Sequence, residues 1–314
     1  MKKTLLATGL TMLMATTAMA ETIGVSISRF DDNFLTVMRN GMTSYADALD
    51  GVDLQVEDAT DDVAKQLDQI NNFIASGVDA IIVNPVDTSA TQAMTNAAES
   101  AGVPLVYVNR EPINVDTLPE NQAFVASNEI ESGTLAAFEA CKMLRAMGHA
   151  GGAKGYLLMG MLSNQAAVQR TKDVDDVLGM DMCNFIEIID RQTAEWSRDQ
   201  AQDLMTNWLS SGEDFQVVFA NNDEMAIGAI QALKASGIAM EDVVVVGVDA
   251  TQDALASMAA GDLDATVFQD AFGQGEGSVD AALALARGED VEQKVYIPFQ
   301  LVTPDNMADF MSAN

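Results

Sequence analysis

Residues 71–87 read NNFIASGVDAIIVNPVD, and residues 206–223 read TNWLSSGEDFQVVFANND. Both stretches place the end of a helical pattern before a glycine, followed by a short apolar run that ends in Asn or Asp. Gly77 and Gly212 are typical of helix C-caps, which need a positive φ, so they do not indicate a ligand site. Because one plan occurs twice in the chain, the sequence predicts two similar lobes.

Strand-like and helix-like segments alternate on both sides of these repeats. The predicted strands lie at residues 22–28, 52–57, 80–83, 104–108, 155–159, 185–189, 217–220, 243–248 and 265–268. The predicted helices lie at residues 34–49, 63–76, 88–101, 130–147, 166–178, 198–210 and 225–235. Amphipathic helices between short apolar strands predict an α/β fold, here as two lobes that each hold a doubly wound parallel sheet.

The first twenty residues differ from the rest of the chain. Lys2 and Lys3 precede an uncharged apolar run at residues 4–17, and residues 18–20 (AMA) offer a small-x-small cleavage site. This pattern predicts a secretory signal peptide over residues 1–20, since the run is too short for a membrane anchor. An N-terminal core helix is the alternative. The leader indicates a protein secreted into a Gram-negative periplasm.

Cys141 and Cys183 are the two cysteines of the chain. Export favours a disulfide between them, and each is expected at the end of an element in neighbouring units. Two buried free thiols are the alternative.

The composition excludes several classes of function. With 47 acidic and 16 basic residues the net charge is −31, which argues against binding nucleic acid or an anionic membrane. A single histidine, His149, excludes His-rich metal sites and leaves one candidate for triad chemistry. Phosphate-loop, dinucleotide-binding and nucleophile-elbow motifs are absent. The sequence predicts no catalytic residue, no metal and no cofactor.

Polar side chains follow the predicted strands. In parallel sheets, ligands bind beyond the carboxyl ends of strands, where this chain places Asp31, Asp32, Asn84, Asn109, Arg110, Asn222, Asp223, Asp249 and Gln269. Planar amides and carboxylates suit a neutral polyhydroxylated ligand, because each can form paired hydrogen bonds. Phe34 and Trp196 could stack on the apolar faces of such a ring. The alternative is that these Asn and Asp residues only cap the following helices.

Several motifs in order resemble those of the type I periplasmic sugar-binding proteins, which include the glucose/galactose- and ribose-binding proteins. The motifs are IGVS at 23–26, DDNF at 31–34, IVNPVD at 82–87, NNDEMAIGA at 221–229 and VGVD at 246–249. The resemblance covers residues 21–314. It implies a monomer of two lobes that close about a hinge on a small neutral polyol or monosaccharide, and delivery to an ABC permease in the inner membrane. A chemoreceptor is a further partner that the resemblance leaves open.

The resemblance also implies boundaries and a site. One lobe would comprise residues 21–127 and 270–297, and the other residues 128–269 and 298–314, with hinge crossings near Ser127, Gln269 and Pro298. Carrying the family's site over adds Arg170, which would fork onto adjacent hydroxyls. With the residues that match the inositol branch, the predicted ligand-binding set is Asp32, Phe34, Asn84, Asn109, Arg110, Asn164, Arg170, Trp196, Asn222, Asp249 and Gln269.

The choice of ligand depends on departures from the galactose-binding pattern. The His and Asp of that pattern are replaced by Asn164 and Ala166, and residues 147–154 hold no acidic residue, so no calcium is expected. Residues 160–167 (GMLSNQAA) and Asn109-Arg110 instead resemble the inositol/rhizopine-binding branch. The order of preference is therefore myo-inositol or a related cyclitol, then hexoses, then pentoses.

Two other classes of function are weighed. An exported carbohydrate-acting hydrolase would place carboxylates in a cleft, but no pair of nucleophile and base stands out. A sugar-sensing transcription regulator would need a DNA-binding module before the first strand, which is expected at about residue 22.

Overall fold

The computed structural model describes residues 20–313, so the predicted leader, apart from Ala20, lies outside the described residues. The strands are β1 (Glu21–Ile27), β2 (Val52–Asp58), β3 (Ala80–Val83), β4 (Leu105–Val108), β5 (Gln122–Ala126), β6 (Ala153–Met159), β7 (Ile186–Thr193), β8 (Val217–Ala220), β9 (Val244–Val246), β10 (Thr266–Phe268), β11 (Lys294–Tyr296) and β12 (Gln300–Val302). The α-helices are α1 (Asn33–Ala48), α2 (Val63–Ser76), α3 (Thr91–Ala101), α4 (Glu129–Ala146), α5 (Gln165–Leu178), α6 (Arg198–Leu209), α7 (Asp223–Ala235), α8 (Gln252–Ala259) and α9 (Ala271–Ala286).

The strands form two parallel sheets and one antiparallel pair. The first sheet has the order β11-β5-β4-β3-β1-β2, and the second has the order β7-β6-β8-β9. β10 pairs with β12, and two isolated bridges connect the β10 region to the end of the second sheet. The predicted α/β fold of two doubly wound parallel sheets is confirmed.

Each sheet is covered by apolar side chains on both faces, which explains the uninterrupted apolar strands. In β3, Ile82 packs in a cluster with Met38 of α1, whereas Ile81 packs in another cluster with Ile70 and Phe73 of α2. Successive side chains of a strand point to opposite faces, so a strand covered on both sides must be apolar at every position.

Helix α9 and strand β5 are the main elements that the sequence analysis did not predict. α9 contains Gly273, Gly275 and Gly277, which lower helix propensity. The structure explains one of them: a Cβ on Gly275 would lie 2.8 Å from the carbonyl oxygen of Met38. α9 therefore needs glycine in order to pack closely against α1. β5 lies in the stretch that the sequence analysis left as a connection.

The chain passes between the two sheets three times, through the crossing segments at residues 127–128, 269–270 and 297–299. α4, which follows the first segment, packs against β8, β9 and β10, whereas α9, which follows the second, packs against β3, β4 and β5. After the third, β12 pairs with β10. The exact lobe boundaries given above stay a prediction. No helix in residues 20–313 is both long and apolar enough to span a membrane.

Cys141 and Cys183 are joined by a disulfide with their Cα atoms 5.7 Å apart. Cys141 lies on α4, and Cys183 lies between α5 and β7, so the bond ties these elements together. Both side chains are fully buried in one of the apolar clusters on the second sheet.

Removing the disulfide by C141A/C183A should lower the free energy of unfolding by about 3–4 kcal/mol, because a closed loop of this size restricts the unfolded chain. The loop spans a sequence separation of 42. Chemical denaturation of variant and wild type measures the difference, and wild type treated with reductant is the control. Equal unfolding midpoints for the variant, the untreated wild type and the reduced wild type would contradict the prediction.

Asp173 is a buried carboxyl at the contact of α4 and α5. The side chain is 1% exposed, and its Oδ1 accepts a hydrogen bond from Gln169 Nε2 at 2.6 Å. Its Oδ2 has no hydrogen-bond partner among the described residues. Burial raises the pKa of Asp173 to about 7, because the charged form loses its hydration.

The stability of the fold should therefore depend on Asp173 and pH. Between about pH 4 and pH 7 the folded state keeps a proton that unfolding releases, so this group's contribution to stability falls as pH rises through that window. Denaturation at pH 5 and pH 8 should show a smaller pH effect for D173N than for wild type. The same pH effect in both proteins would refute this assignment.

Candidate functional site

A cavity lies between the two sheets, at the carboxyl ends of their strands. This is where parallel α/β sheets bind ligands. Its walls come from both sides of the crossing segments. The lining residues are Asp32, Phe34, Leu35, Asn109, Arg110, Glu129, Ala166, Arg170, Trp196, Asn222, Asp249 and Gln269.

Every predicted ligand-binding residue except Asn84 and Asn164 lines this cavity. Asn84 instead supports a neighbour that does. Its Oδ1 accepts from Ser28 Oγ at 2.7 Å, and its Nδ2 donates to Val108 O at 3.3 Å and to Asn109 Oδ1 at 3.1 Å. With its amide used by the protein in this way, Asn84 orients Asn109.

Asn164 holds the aromatic wall of the cavity. Its Oδ1 accepts from Trp196 Nε1 at 3.0 Å, and its Nδ2 donates to the carbonyl oxygen of Val86 at 3.0 Å. Val86 follows β3 of the first sheet, whereas Trp196 follows β7 of the second. Asn164 therefore connects Trp196 to the opposite side of the cavity.

Helix capping and cavity lining coincide at two of the predicted residues. Asp32 Oδ1 accepts from Leu35 N at 2.9 Å at the start of α1, and Asn222 Oδ1 accepts from Met225 N at 3.0 Å at the start of α7. Each cap fixes one oxygen of the side chain. Asn222 is then left with its amide NH2 to offer to a ligand.

Arg170 has a dense set of partners. Its Nε and Nη2 donate to the two carboxylate oxygens of Glu129 at 2.7 and 2.9 Å. Nη1 donates to Asn221 O at 2.7 Å and lies 3.7 Å from Asp249 Oδ1, and Nη2 donates to Gln269 Oε1 at 3.2 Å. Much of the guanidinium therefore binds protein groups, so the fork predicted for a ligand is directed at Glu129.

Glu129 is the polar cavity residue that the sequence analysis missed. It is the first residue of α4, directly after the crossing segment at residues 127–128 that follows β5. Because β5 was not predicted, Glu129 could not be recognised as a residue that follows the carboxyl end of a strand. The sequence NEIESG at 128–133 holds the signal: an acidic residue in the first turn of the helix that follows a strand.

Burial and neighbouring charges shift the pKa values of three cavity side chains. Burial alone would lower the pKa of Arg170, but the adjacent Glu129 carboxylate outweighs it and raises the pKa above its ordinary value. Burial lowers the pKa of Arg110 to about 10, so this side chain stays cationic at neutral pH. Burial, together with the like charge of Asp223, raises the pKa of Asp249 despite the nearby Arg170.

Three cavity residues have a positive backbone φ, which is unfavourable for residues other than glycine. The angles are 66° at Asn109, 65° at Trp196 and 124° at Asp249. Such conformations persist where the surroundings hold them, and they concentrate at binding sites. Here they aim an amide, an indole and a carboxylate into one cavity.

The two halves of the cavity contact each other around its edge. Thr88 N donates to Ser163 O at 3.0 Å, and Asn33 Nδ2 donates to Glu224 Oε1 at 2.6 Å. Each bond joins a residue beside the first sheet to one beside the second. With these bonds in place, Asp249 and Arg170 are each 4% exposed.

The chain is similar to known solute-binding proteins. Residues 23–290 match the family model of the periplasmic binding protein domain. A Rhizobium meliloti protein named for rhizopine binding is 62% identical over 314 residues, which is 100% of each chain. An ABC transporter solute-binding protein from Bacillus halodurans, solved with bound myo-inositol, has a TM-score of 0.87 and 41% identity, and the match covers 94% of this chain and 99% of that one. The Caulobacter myo-inositol-binding protein, also solved with myo-inositol, has a TM-score of 0.82 and 26% identity over 92% and 95% of the two chains.

The position of Trp196 depends on Gly160. A Cβ on Gly160 would lie 2.2 Å from the indole ring, too close for the ring to keep its place. G160A should displace Trp196, shift its fluorescence and cost roughly 1–3 kcal/mol of stability through overpacking. The control is G151A, since a Cβ at Gly151 meets no atom within 4 Å. Fluorescence and thermal unfolding of G160A that match those of G151A would contradict this role.

Proposed function

Because the chain belongs to the periplasmic binding protein family, we propose that it binds myo-inositol or a closely related cyclitol in the cavity and delivers it to an ABC permease of the inner membrane. The proposed location is the periplasm, reached through the predicted leader at residues 1–20. Members of this family are solute-binding components of transporters, so the prediction that the protein is not an enzyme is confirmed, and the hydrolase alternative is wrong.

The observation that carries the choice of ligand is the polar ring of the cavity. An inositol has a hydroxyl group on every ring carbon and no anomeric centre, so it needs donors and acceptors all round its rim. Carboxylates, amides and guanidinium groups line the cavity, and they belong to Asp32, Asn109, Arg110, Arg170, Asn222, Asp249 and Gln269. Such groups exchange paired hydrogen bonds with vicinal hydroxyls.

The apolar part of the cavity suits the faces of such a ring. Phe34 and Trp196 line the cavity and are each 7% exposed. A polyol ring carries C–H groups on its faces, which pack on aromatic rings while the hydroxyls bind at the edge. The two relatives solved with myo-inositol support the same choice.

Binding would proceed by closure of the two halves. In an open form each half offers part of the ring of polar groups, and the ligand first binds one of them. Closure then forms the bonds of Thr88 with Ser163 and of Asn33 with Glu224, which lie around the cavity. The ligand stabilises the closed form by the bonds it makes only there, and water is excluded.

A thermal-shift screen of inositols, hexoses and pentoses tests this proposal. Ligand at 100 times its dissociation constant stabilises the folded state by about 2.7 kcal/mol, so myo-inositol should raise the unfolding temperature more than glucose, galactose or ribose. A larger shift with a hexose or pentose would refute the cyclitol while leaving the transport role. No shift with any polyol would contradict both.

Loss of Asp249 should weaken myo-inositol binding by roughly fivefold or more, because a buried hydroxyl left without its hydrogen-bond partner costs about 1–3 kcal/mol. Isothermal titration of Asp249→Ala measures the loss. Asp264→Asn is the control, since Asp264 accepts a hydrogen bond from Val245 N at 2.7 Å but does not line the cavity. Wild-type affinity in Asp249→Ala would show that the ligand does not bind at this carboxyl group.

A further inference from the structure

The Arg170 guanidinium lies where the three crossing segments meet. Glu129, directly after the first segment, holds it at 2.7 and 2.9 Å, and Gln269 of the second segment accepts from it at 3.2 Å. The ring centre of Phe299, in the third segment, is 6.0 Å from the guanidinium carbon. One side chain on α5 therefore contacts the residue that follows the first connection and one residue in each of the other two.

The same guanidinium faces the ligand cavity. Arg170 lines it, lies 3.7 Å from Asp249 Oδ1, and has its guanidinium carbon 5.7 Å from the centre of the Trp196 ring. A ligand that binds Asp249 and packs on Trp196 thus meets an arginine that is already bound to the crossing segments. The orientation of Arg170 therefore affects both the ligand site and the hinge.

Glu129 is the group that can fix this orientation. Arg170 and Glu129 are each 4% exposed, and a buried guanidinium needs a counter-charge in good geometry. Two parallel hydrogen bonds from one guanidinium to one carboxylate define both distance and plane. Ser132 Oγ lies 3.0 Å from both Glu129 Oε2 and the carbonyl oxygen of Glu129, so its one proton is shared between the carboxylate and the backbone.

The backbone places the two residues together. A Cβ on Gly133 of α4 would lie 2.6 Å from the carbonyl oxygen of Arg170, so α4 and α5 can approach closely only because this residue is glycine. Glu129 lies four positions before Gly133, one turn away on the same face of α4. Close packing of the helices therefore brings the carboxylate of Glu129 to the guanidinium of Arg170.

We propose that Glu129 is a positioning residue. Through its two hydrogen bonds it holds Arg170 in the orientation that binds ligand. In the same orientation, Arg170 connects the cavity to the crossing segments. The inference rests on the proposed function for its ligand. Glu129 acts through Arg170, so its effect on binding must depend on Arg170 being present.

A double-mutant cycle with myo-inositol tests this dependence by isothermal titration. E129Q and R170M should each weaken binding about tenfold or more, as expected for loss of a charged hydrogen-bonding group. In the R170M background, E129Q should weaken binding by less than about threefold further, because the two residues act as a unit. If the double variant loses affinity by the product of the two single losses, or if E129Q binds with wild-type affinity, the proposal is overturned.

The matched control is E139Q. Glu139 also lies on α4, is 7% exposed and pairs with Lys142 at 2.9 Å, but it does not line the cavity. Its affinity should equal that of wild type. An equal loss in E139Q and E129Q would mean that α4 is disturbed in general, and would overturn the proposal.

If E129Q does not fold, S132A is the milder variant. It removes the hydrogen bond to Glu129 Oε2 and should weaken binding by about threefold in wild type but not in the R170M background. Unchanged affinity of S132A in the wild-type background would then overturn the role of Glu129.

A spectroscopic measurement separates this proposal from the proposed function, because it needs no ligand. In the W208F background Trp196 is the tryptophan that remains. Moving the Arg170 charge, now 5.7 Å from its ring, should shift the Trp196 emission in E129Q but not in E139Q. Identical spectra would contradict the role of Glu129, whereas failure of the unmodified protein to bind myo-inositol would contradict only the proposed ligand.

Discussion

Burial of the positive charge of Arg170 between the two sheets is the constraint on which the rest of the site depends. Arg170 is 4% exposed, so its N–H groups need hydrogen-bond acceptors and its charge needs a counter-charge within the protein. Glu129 supplies the counter-charge, and Asn221 and Gln269 supply oxygens from the ends of β8 and β10. The ends of these strands are therefore held at one point, beside the ligand cavity and the crossing segments.

A corresponding polar connection lies on the side of the first sheet. Asn84 Nδ2 donates to Asn109 Oδ1 at 3.1 Å, Asn109 Nδ2 donates to Gln274 Oε1 at 3.1 Å, and Gln274 Nε2 donates to Ser127 Oγ at 3.0 Å. These hydrogen-bonded amides connect the end of a strand, through a cavity residue, to the first crossing segment. Buried networks of this kind fix one arrangement because an unsatisfied member is costly. Both halves of the cavity are thus connected to the hinge by buried hydrogen bonds.

The sequence predicted the architecture well because the two repeats encode it locally. Each repeat has a helix, a glycine with positive φ and an apolar strand, and residues 80–83 and 217–220 are strands with the predicted bounds. α9 escaped prediction because Gly275 reflects a close approach to α1, which is a contact distant in sequence. β5 escaped because it lies in a stretch without a flanking helix on its N-terminal side.

The lining of the cavity was predictable where a residue follows the end of a strand, as for Asp32, Asn222 and Asp249. Asn84 also follows a strand, but whether an amide binds ligand or a neighbouring side chain depends on distances between strands that no local pattern contains. Asn164 was included by resemblance, and its contacts with Trp196 and Val86 come from opposite sides of the cavity. Glu129 could be recognised only after β5 was known.

A crystal structure of the protein with myo-inositol would show directly whether the ligand binds beside Arg170 and Glu129. We expect one ring in the cavity, packed against Phe34 and Trp196, with hydroxyl groups bonded to Asp249 and Arg170 while Arg170 keeps its two-point contact with Glu129. A ring bound elsewhere, or an empty cavity at saturating myo-inositol, would contradict this expectation.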